Sequence, residues 1–221
     1  MKQKKKQFLV IGLGRFGASV ARTLCELGHE VLAVDSDEAA VEDLSPYVTQ
    51  AVQANAADDG VLESLDAGAC DAAVVSIGSD VRASILISVL CKEAGIPLVL
   101  AKAMDDLHAK VLSKVGVDRV IFPERDMGQR VARLLSSPRT LDQMNLEGDS
   151  GVAEILLPKD WTDRTIEEIN IRRNYHVTIL AVRRAGEMIT RLNADFRLMA
   201  GDSLLILGAQ EDIDRLDQTG E

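Results

Sequence analysis

No apolar run in the 221-residue sequence approaches the roughly 18 consecutive residues that a membrane-spanning helix needs. The lysines at positions 2, 4, 5 and 6 are not followed by the separate apolar region of a secretory signal. A soluble, non-exported protein is expected, with any membrane role exercised through a partner. Basic residues are also in deficit: 25 Lys and Arg against 35 Asp and Glu leave a formal charge of −10, which opposes non-specific binding to phosphate backbones. Cysteine is scarce. Cys25, Cys70 and Cys91 show neither an even count nor ligand-like pairing, so neither a disulfide framework nor a zinc site is indicated, and a reducing cytoplasm fits. Sixteen glycines and five prolines are too few for a collagen-like or low-complexity chain. GxSxG, HExxH and Walker-lysine motifs are absent, and neither Tyr47 nor Tyr175 stands in a YxxxK spacing, so several common catalytic chemistries lack their parts.

What is present is an alternation of short apolar runs and longer helical patterns from Phe8 to about Ser137. The apolar runs Phe8–Ile11, Val31–Val34, Ala73–Ile77, Leu98–Leu100 and Val120–Phe122 read as strands, with a weaker one near Ala51–Gln53. They are continuous rather than alternating, as strands buried on both faces require. The expected class is α/β, a doubly wound parallel sheet. The segment Val81–Cys91 is apolar on more than one side, so it is either buried or meets another subunit; the helix after Pro123 raises the same question. At Ser136-Ser137-Pro138 the rhythm stops, which puts a domain boundary near Pro138: residues 1–138 and 139–221. The second part reads as a small α+β module with strands at 152–157, 177–182, 187–191 and 203–207. A helix is expected over 165–173 and another from Glu211, with hairpin turns at Arg184-Ala185-Gly186 and Ala200-Gly201-Asp202.

The most informative segment is Gly12-Leu13-Gly14-Arg15-Phe16-Gly17, directly after a strand and opening a helix. Gly12 permits the tight turn, Gly14 lets the backbone approach a diphosphate, and Gly17 allows close helix–strand packing. Asp35 closes the second strand, where its carboxylate suits ribose hydroxyls and repels a 2′-phosphate. Adenosine, ribose and diphosphate are common to NAD, ADP and ATP, so the residues leave these ligands open. His29, His108 and His176 stand in no evident acid–base constellation and read as surface or packing residues.

These residues carry a resemblance. Gln7–Gly17, Glu30–Asp35, Ala54-Asn55-Ala56, Lys110–Val120 and Pro123–Gly128 are similar to the KtrA/KtrC-type RCK, or KTN, regulatory subunits of bacterial Ktr/Trk potassium uptake systems, over nearly the whole chain. The resemblance implies a Rossmann-like RCK N-terminal domain and an RCK C-terminal module. It implies a homo-octameric ring of dimers, on the cytoplasmic face of a membrane potassium transporter subunit of KtrB, KtrD or TrkH type. ATP and ADP would favour different ring shapes. By position, Arg15 would reach the terminal phosphate held by a neighbouring subunit; read alone, it is an exposed helix-start arginine. Glu124 would share Mg²⁺ or another divalent cation with the nucleotide; alone, it is an acid favoured at a helix start. Asp35, Ser36 and Asp37 would lie at the ribose, although Asp37 stands where asparagine is more usual and suits a helix N-cap. Phe16, Asn55 and Ala56, Ile77, Gly78 and Ser79, and Lys102, Ala103 and Met104 would line the cleft, with His108 within reach. In some relatives the C-terminal module binds cyclic di-AMP; Ile166, Ile169, Asn170 and Arg172 occupy that region, where the charge of Glu167 opposes an anionic dinucleotide. The alternatives are an NAD-dependent oxidoreductase and, disfavoured by the acidic balance, a DNA-binding redox regulator.

Overall fold

A computed structural model describes residues 5–137, 139–146 and 148–218. Pro138, where a boundary is expected, and the tail residues Lys2 and Lys4 lie outside the described residues. The chain divides into two compact units, residues 1–125 and 126–221.

In the first unit the strands are β1 (Gln7–Ile11), β2 (Glu30–Asp35), β3 (Gln50–Gln53), β4 (Ala72–Val75), β5 (Val99–Lys102) and β6 (Arg119–Ile121). All pairings are parallel and the order is β3-β2-β1-β4-β5-β6, the arrangement of dinucleotide-binding sheets. The expected α/β class is borne out, including the weak third strand. Along β1, Leu9 and Ile11 enter one buried cluster and Val10 another, so the sheet is covered on both sides. This is why its strands read as unbroken apolar runs. The covering helices are α1 (Arg15–Glu26), α2 (Glu38–Leu44), the single turn α3 (Val61–Ser64), α4 (Val81–Glu93) and α5 (Asp106–Lys114). In α4 Ser84, Ile87, Ser88 and Cys91 are buried whereas Val81 and Leu86 are exposed, so one side packs on the sheet and the other stays open.

Helix α6 (Pro123–Ser136) carries the chain from the first unit into the second and ends as the sequence indicates, at the serine pair. Its Met127, Val131 and Leu135 stripe is exposed within this chain.

The second unit holds β7 (Thr140–Asn145), β8 (Ser150–Leu156), α7 (Ile166–Ile169), α8 (Ile171–Tyr175), β9 (Thr178–Arg184), β10 (Glu187–Ile189), β11 (Ser203–Ala209) and α9 (Gln210–Gln218). The sheet is antiparallel in the order β10-β9-β11-β8-β7, over a core that includes Trp161, Ile169, Leu204 and Ile213. Three features depart from the sequence reading. The first is β7, whose Leu141 and Met144 remain exposed on an edge strand; Thr140–Asn145 carries no apolar run to announce it. The second lies in the expected helix 165–173, which breaks at Asn170, in the left-handed region at φ 49°. Thr165 and Glu168 form a reciprocal capping box before the break, and the Asn170 N–H closes the first turn on the Ile166 and Glu167 carbonyls. The third is the Ala200–Asp202 turn, which leads into β11 without making a hairpin, because β10 and β11 both pair with β9. The turn at Ala185-Gly186 does join neighbouring antiparallel strands, with φ of 50° and 87° at its two residues.

Candidate nucleotide-binding cleft

The strand ends of the first unit build a cleft around the glycine turn. Gly12 sits at φ +90°, and its N–H donates to the Val34 carbonyl at 2.9 Å, tying the turn to β2. A Cβ on Gly12 would meet the Ser76 carbonyl carbon at 3.0 Å, and one on Gly17 would come within 1.9 Å of the Gly12 oxygen. Gly17 is therefore fixed by helix–strand packing. Gly14, by contrast, faces open space. Helix α1 starts from Gly14 with no side-chain cap and no acid in its first turn. The starts of α2, α4 and α5 are each capped by an aspartate, Asp37, Asp80 and Asp105. At α1 the unsatisfied backbone donors and the positive end of the helix dipole instead open on the cleft, an arrangement suited to an anion.

Asp35, at the end of β2, is held by two backbone donors: Leu13 N–H reaches one oxygen at 2.5 Å and Asp37 N–H the other at 2.9 Å. Each carboxylate oxygen keeps a lone pair for a further donor such as a ribose hydroxyl. Asp37 accepts from Ala39 N–H at 3.0 Å, the N-cap role its residue type suits. After β3, Asn55 folds its own loop: its Oδ1 accepts from Ala57 N–H at 3.2 Å and its Nδ2 donates to Asp58 at 2.7 Å.

The cleft has a volume of about 1010 Å³. Near the turn its wall includes Gly12, Gly14, Arg15 and Phe16; on the β2 and β3 side it includes Asp35, Ser36, Asp37, Asn55 and Ala56. The β4 loop adds Ile77, Gly78 and Ser79, and Lys102 and Glu124 close the far side. The structure thus gathers fourteen expected positions, from six separate stretches of sequence, around one cavity. Lys102 Nζ donates to the Glu124 carboxylate in a short ion pair, the lysine 12% and the glutamate 65% exposed. The hydrogen bond from Lys102 holds the Glu124 carboxyl below its ordinary range, and the Arg15 charge adds to the effect. A Cβ on Gly78 would lie 3.4 Å from Lys102 Nζ, so the small residue leaves the lysine its place.

Four expected residues do not line the cleft. Gly17 sits behind the turn, against the Gly12 oxygen, and Ala103 is buried in the core cluster after β5. Met104 is half exposed, its sulfur near Gly78, and its N–H donates to His108 Nδ1 at 3.3 Å. His108 is 2% exposed and packs at the start of α5, its Nε2 without a partner among the described residues. Burial pushes its pKa down, against the pull of Asp105, so it stands as a neutral packing histidine. Conversely Asp80, Arg82 and Leu86 line the cavity although sequence reasoning passed over them. The signal was the sheet order, because β4 adjoins β1 and its loop must face the same crevice.

In the second unit Ile169 is buried in the core and Ile166 is half-buried. Asn170 and Arg172 are exposed. No group of three metal-ligating side chains occurs among the described residues.

Residues 8–123 match the TrkA-N domain and residues 152–219 the TrkA-C domain. Ktr system potassium uptake protein A of Bacillus subtilis is 39% identical over 217 residues, 98% of each chain. Protein C of the same organism is 37% identical over 97% of each chain, and protein A of Vibrio alginolyticus 37% over 96%. The chain belongs to the Ktr family. Its TrkA-N unit is the one that holds the cleft, and the expected KtrA/KtrC-type regulatory subunit is borne out. These relatives are named as potassium uptake proteins, so the oxidoreductase alternative is not favoured. Among solved structures the GsuK channel shares the fold at TM-score 0.68 and 17% identity; this chain is covered in full but spans only 40% of that channel chain. A structure of the GsuK channel bound to NAD superimposes at TM-score 0.51 with 19% identity, covering 98% of this chain and 39% of the other.

Proposed function

We propose that this Ktr-family chain is a cytoplasmic, nucleotide-sensing regulatory subunit that gates a membrane potassium transporter subunit of KtrB, KtrD or TrkH type. The observation that carries the reading is the uncapped start of α1, facing a cleft whose β2 side presents Asp35 and whose far side presents Lys102. Such a cleft takes a ribose at Asp35 and phosphates at the turn. ATP and ADP are the proposed ligands, with NAD or NADH sharing the same anchoring groups. Glu124 and the nucleotide phosphates make a donor set of the kind Mg²⁺ accepts, one carboxylate with substrate oxygens. On that reading a bound cation draws Glu124 from Lys102 and releases the lysine to the phosphates. The proposed domains are residues 1–138 and 139–221, the assembly a homo-octameric ring of dimers, and the exposed Met127, Val131 and Leu135 stripe of α6 supports contact between chains. Cyclic di-AMP at Ile166, Ile169, Asn170 and Arg172 is proposed as a second ligand, with the exposed Asn170 and Arg172 as its polar contacts.

A nucleotide shifts a gate only by the difference in its affinity for the two states of the ring. The test is potassium flux through the membrane subunit reconstituted in vesicles with this chain. ATP and ADP are expected to give different fluxes; identical fluxes at saturating concentrations of each would refute gating by nucleotide.

A further inference from the structure

Arg82 is the cleft's unassigned cation. It stands in the first turn of α4, two residues after the Asp80 cap, exposed and on the cleft wall. Its backbone N–H donates to Asp80 Oδ1 at 2.9 Å, while its guanidinium has no hydrogen-bond or ion-pair partner among the described residues. The acids around the same cavity are differently placed. Asp35 and Asp37 accept from backbone donors, Asp80 accepts from the N–H groups of Arg82 and Ala83, and Glu124 holds Lys102. Arg15 and Arg82 are thus the two cleft cations outside any salt bridge among the described residues.

The sheet order gives Arg82 a direction. Asp35 ends β2, the glycine turn ends β1, and the segment leading to Arg82 leaves β4, with β2, β1 and β4 adjacent in that order. Two strand spacings separate β2 from β4, roughly 10 Å. A nucleotide with its ribose at Asp35 and its inner phosphates over Gly14 therefore projects its outermost phosphate toward the β4 loop.

We propose that Arg82 binds the terminal phosphate of a nucleoside triphosphate held in its own chain, and so contributes to this cleft's discrimination of triphosphate from diphosphate. This rests on the nucleotide-binding reading above. A guanidinium is suited to the task, because its planar fork can donate two hydrogen bonds to a phosphate and it stays charged.

The test is calorimetric titration of the full-length chain, wild type, Arg82→Gln and Arg82→Lys, with ATP, ADP and AMP, each variant checked for unchanged melting temperature and oligomeric state. Loss of a charge-assisted hydrogen bond is expected to weaken ATP about tenfold or more in Arg82→Gln. ADP and AMP should stay within about twofold, and Arg82→Lys should recover part of the loss. Equal weakening of all three nucleotides, an unchanged ATP affinity, or a change confined to oligomeric state would overturn the assignment while leaving nucleotide binding intact. A wild-type chain that binds none of the three overturns the nucleotide reading as well.

Discussion

At the scale of single residues, three glycines of one turn do three different physical jobs, and these separate experimentally. Gly17 has no room for a side chain: an alanine Cβ would overlap the Gly12 oxygen at 1.9 Å, and backbone on both sides cannot give way cheaply. Gly17→Ala is expected to cost about 2 kcal/mol or more, the upper part of the range for overpacking a tight contact, read as a fall in the denaturant midpoint. Gly14 borders open space, so Gly14→Ala should change stability by less than about 0.5 kcal/mol. The same methyl projects where a diphosphate must approach the backbone, and nucleotide affinity should fall at least tenfold. If Gly14→Ala kept full affinity, the phosphates would not be bound over this turn. Gly12 is constrained twice, by its φ of +90° and by the Ser76 carbonyl.

At the scale of elements, what was legible followed from burial. The strands β1, β2, β4 and β5 are unbroken apolar runs because both faces of the sheet are covered, and the glycine signature lies at the β1–α1 junction, where the fold needs it. The edge strand β7 was not legible, since with Leu141 and Met144 exposed nothing in its composition separates it from a loop. The break at Asn170 was hidden for another reason: Ile166 and Ile169 have the spacing of one helical face and no glycine or proline marks an end, so only the left-handed backbone, which asparagine tolerates, interrupts the helix. Arg82 escaped notice because its place depends on which strands adjoin, a property of the sheet and not of the local sequence. The second unit also contains a polar junction that sequence could not pair. Asp202, 1% exposed, takes both Arg184 nitrogens at 2.8 Å and the Met199 N–H at 2.8 Å, joining β9 to the turn before β11. Burial alone would raise its pKa; the Arg184 and Met199 hydrogen bonds outweigh that and leave the carboxyl low. Asp202→Ala strands a half-buried guanidinium and a backbone donor, and is expected to cost about 2–3 kcal/mol in chemical denaturation. A cost below about 0.5 kcal/mol would show the junction to be incidental.

At the scale of the whole molecule, the acidic chain has no helix, among the described residues, long and apolar enough to cross a membrane, and it presents one large cleft in its first unit. On the proposed reading, the nucleotide signal conveyed to a transporter begins as binding energy in that cleft. Nucleotide occupancy stabilises the state that binds it more tightly, by an amount set by ligand concentration over the dissociation constant. The three observations on which the reading stands belong to one ligand: an uncapped helix start, a carboxylate at the ribose position and cations opposite. The most direct measurement is calorimetric titration of the purified full-length chain with ATP, ADP and NAD. One adenine nucleotide is expected to bind per chain, with ATP and ADP distinguishable in affinity and Mg²⁺ strengthening ATP more than ADP. No heat and no melting shift at millimolar ATP and ADP would contradict the assignment of this cleft.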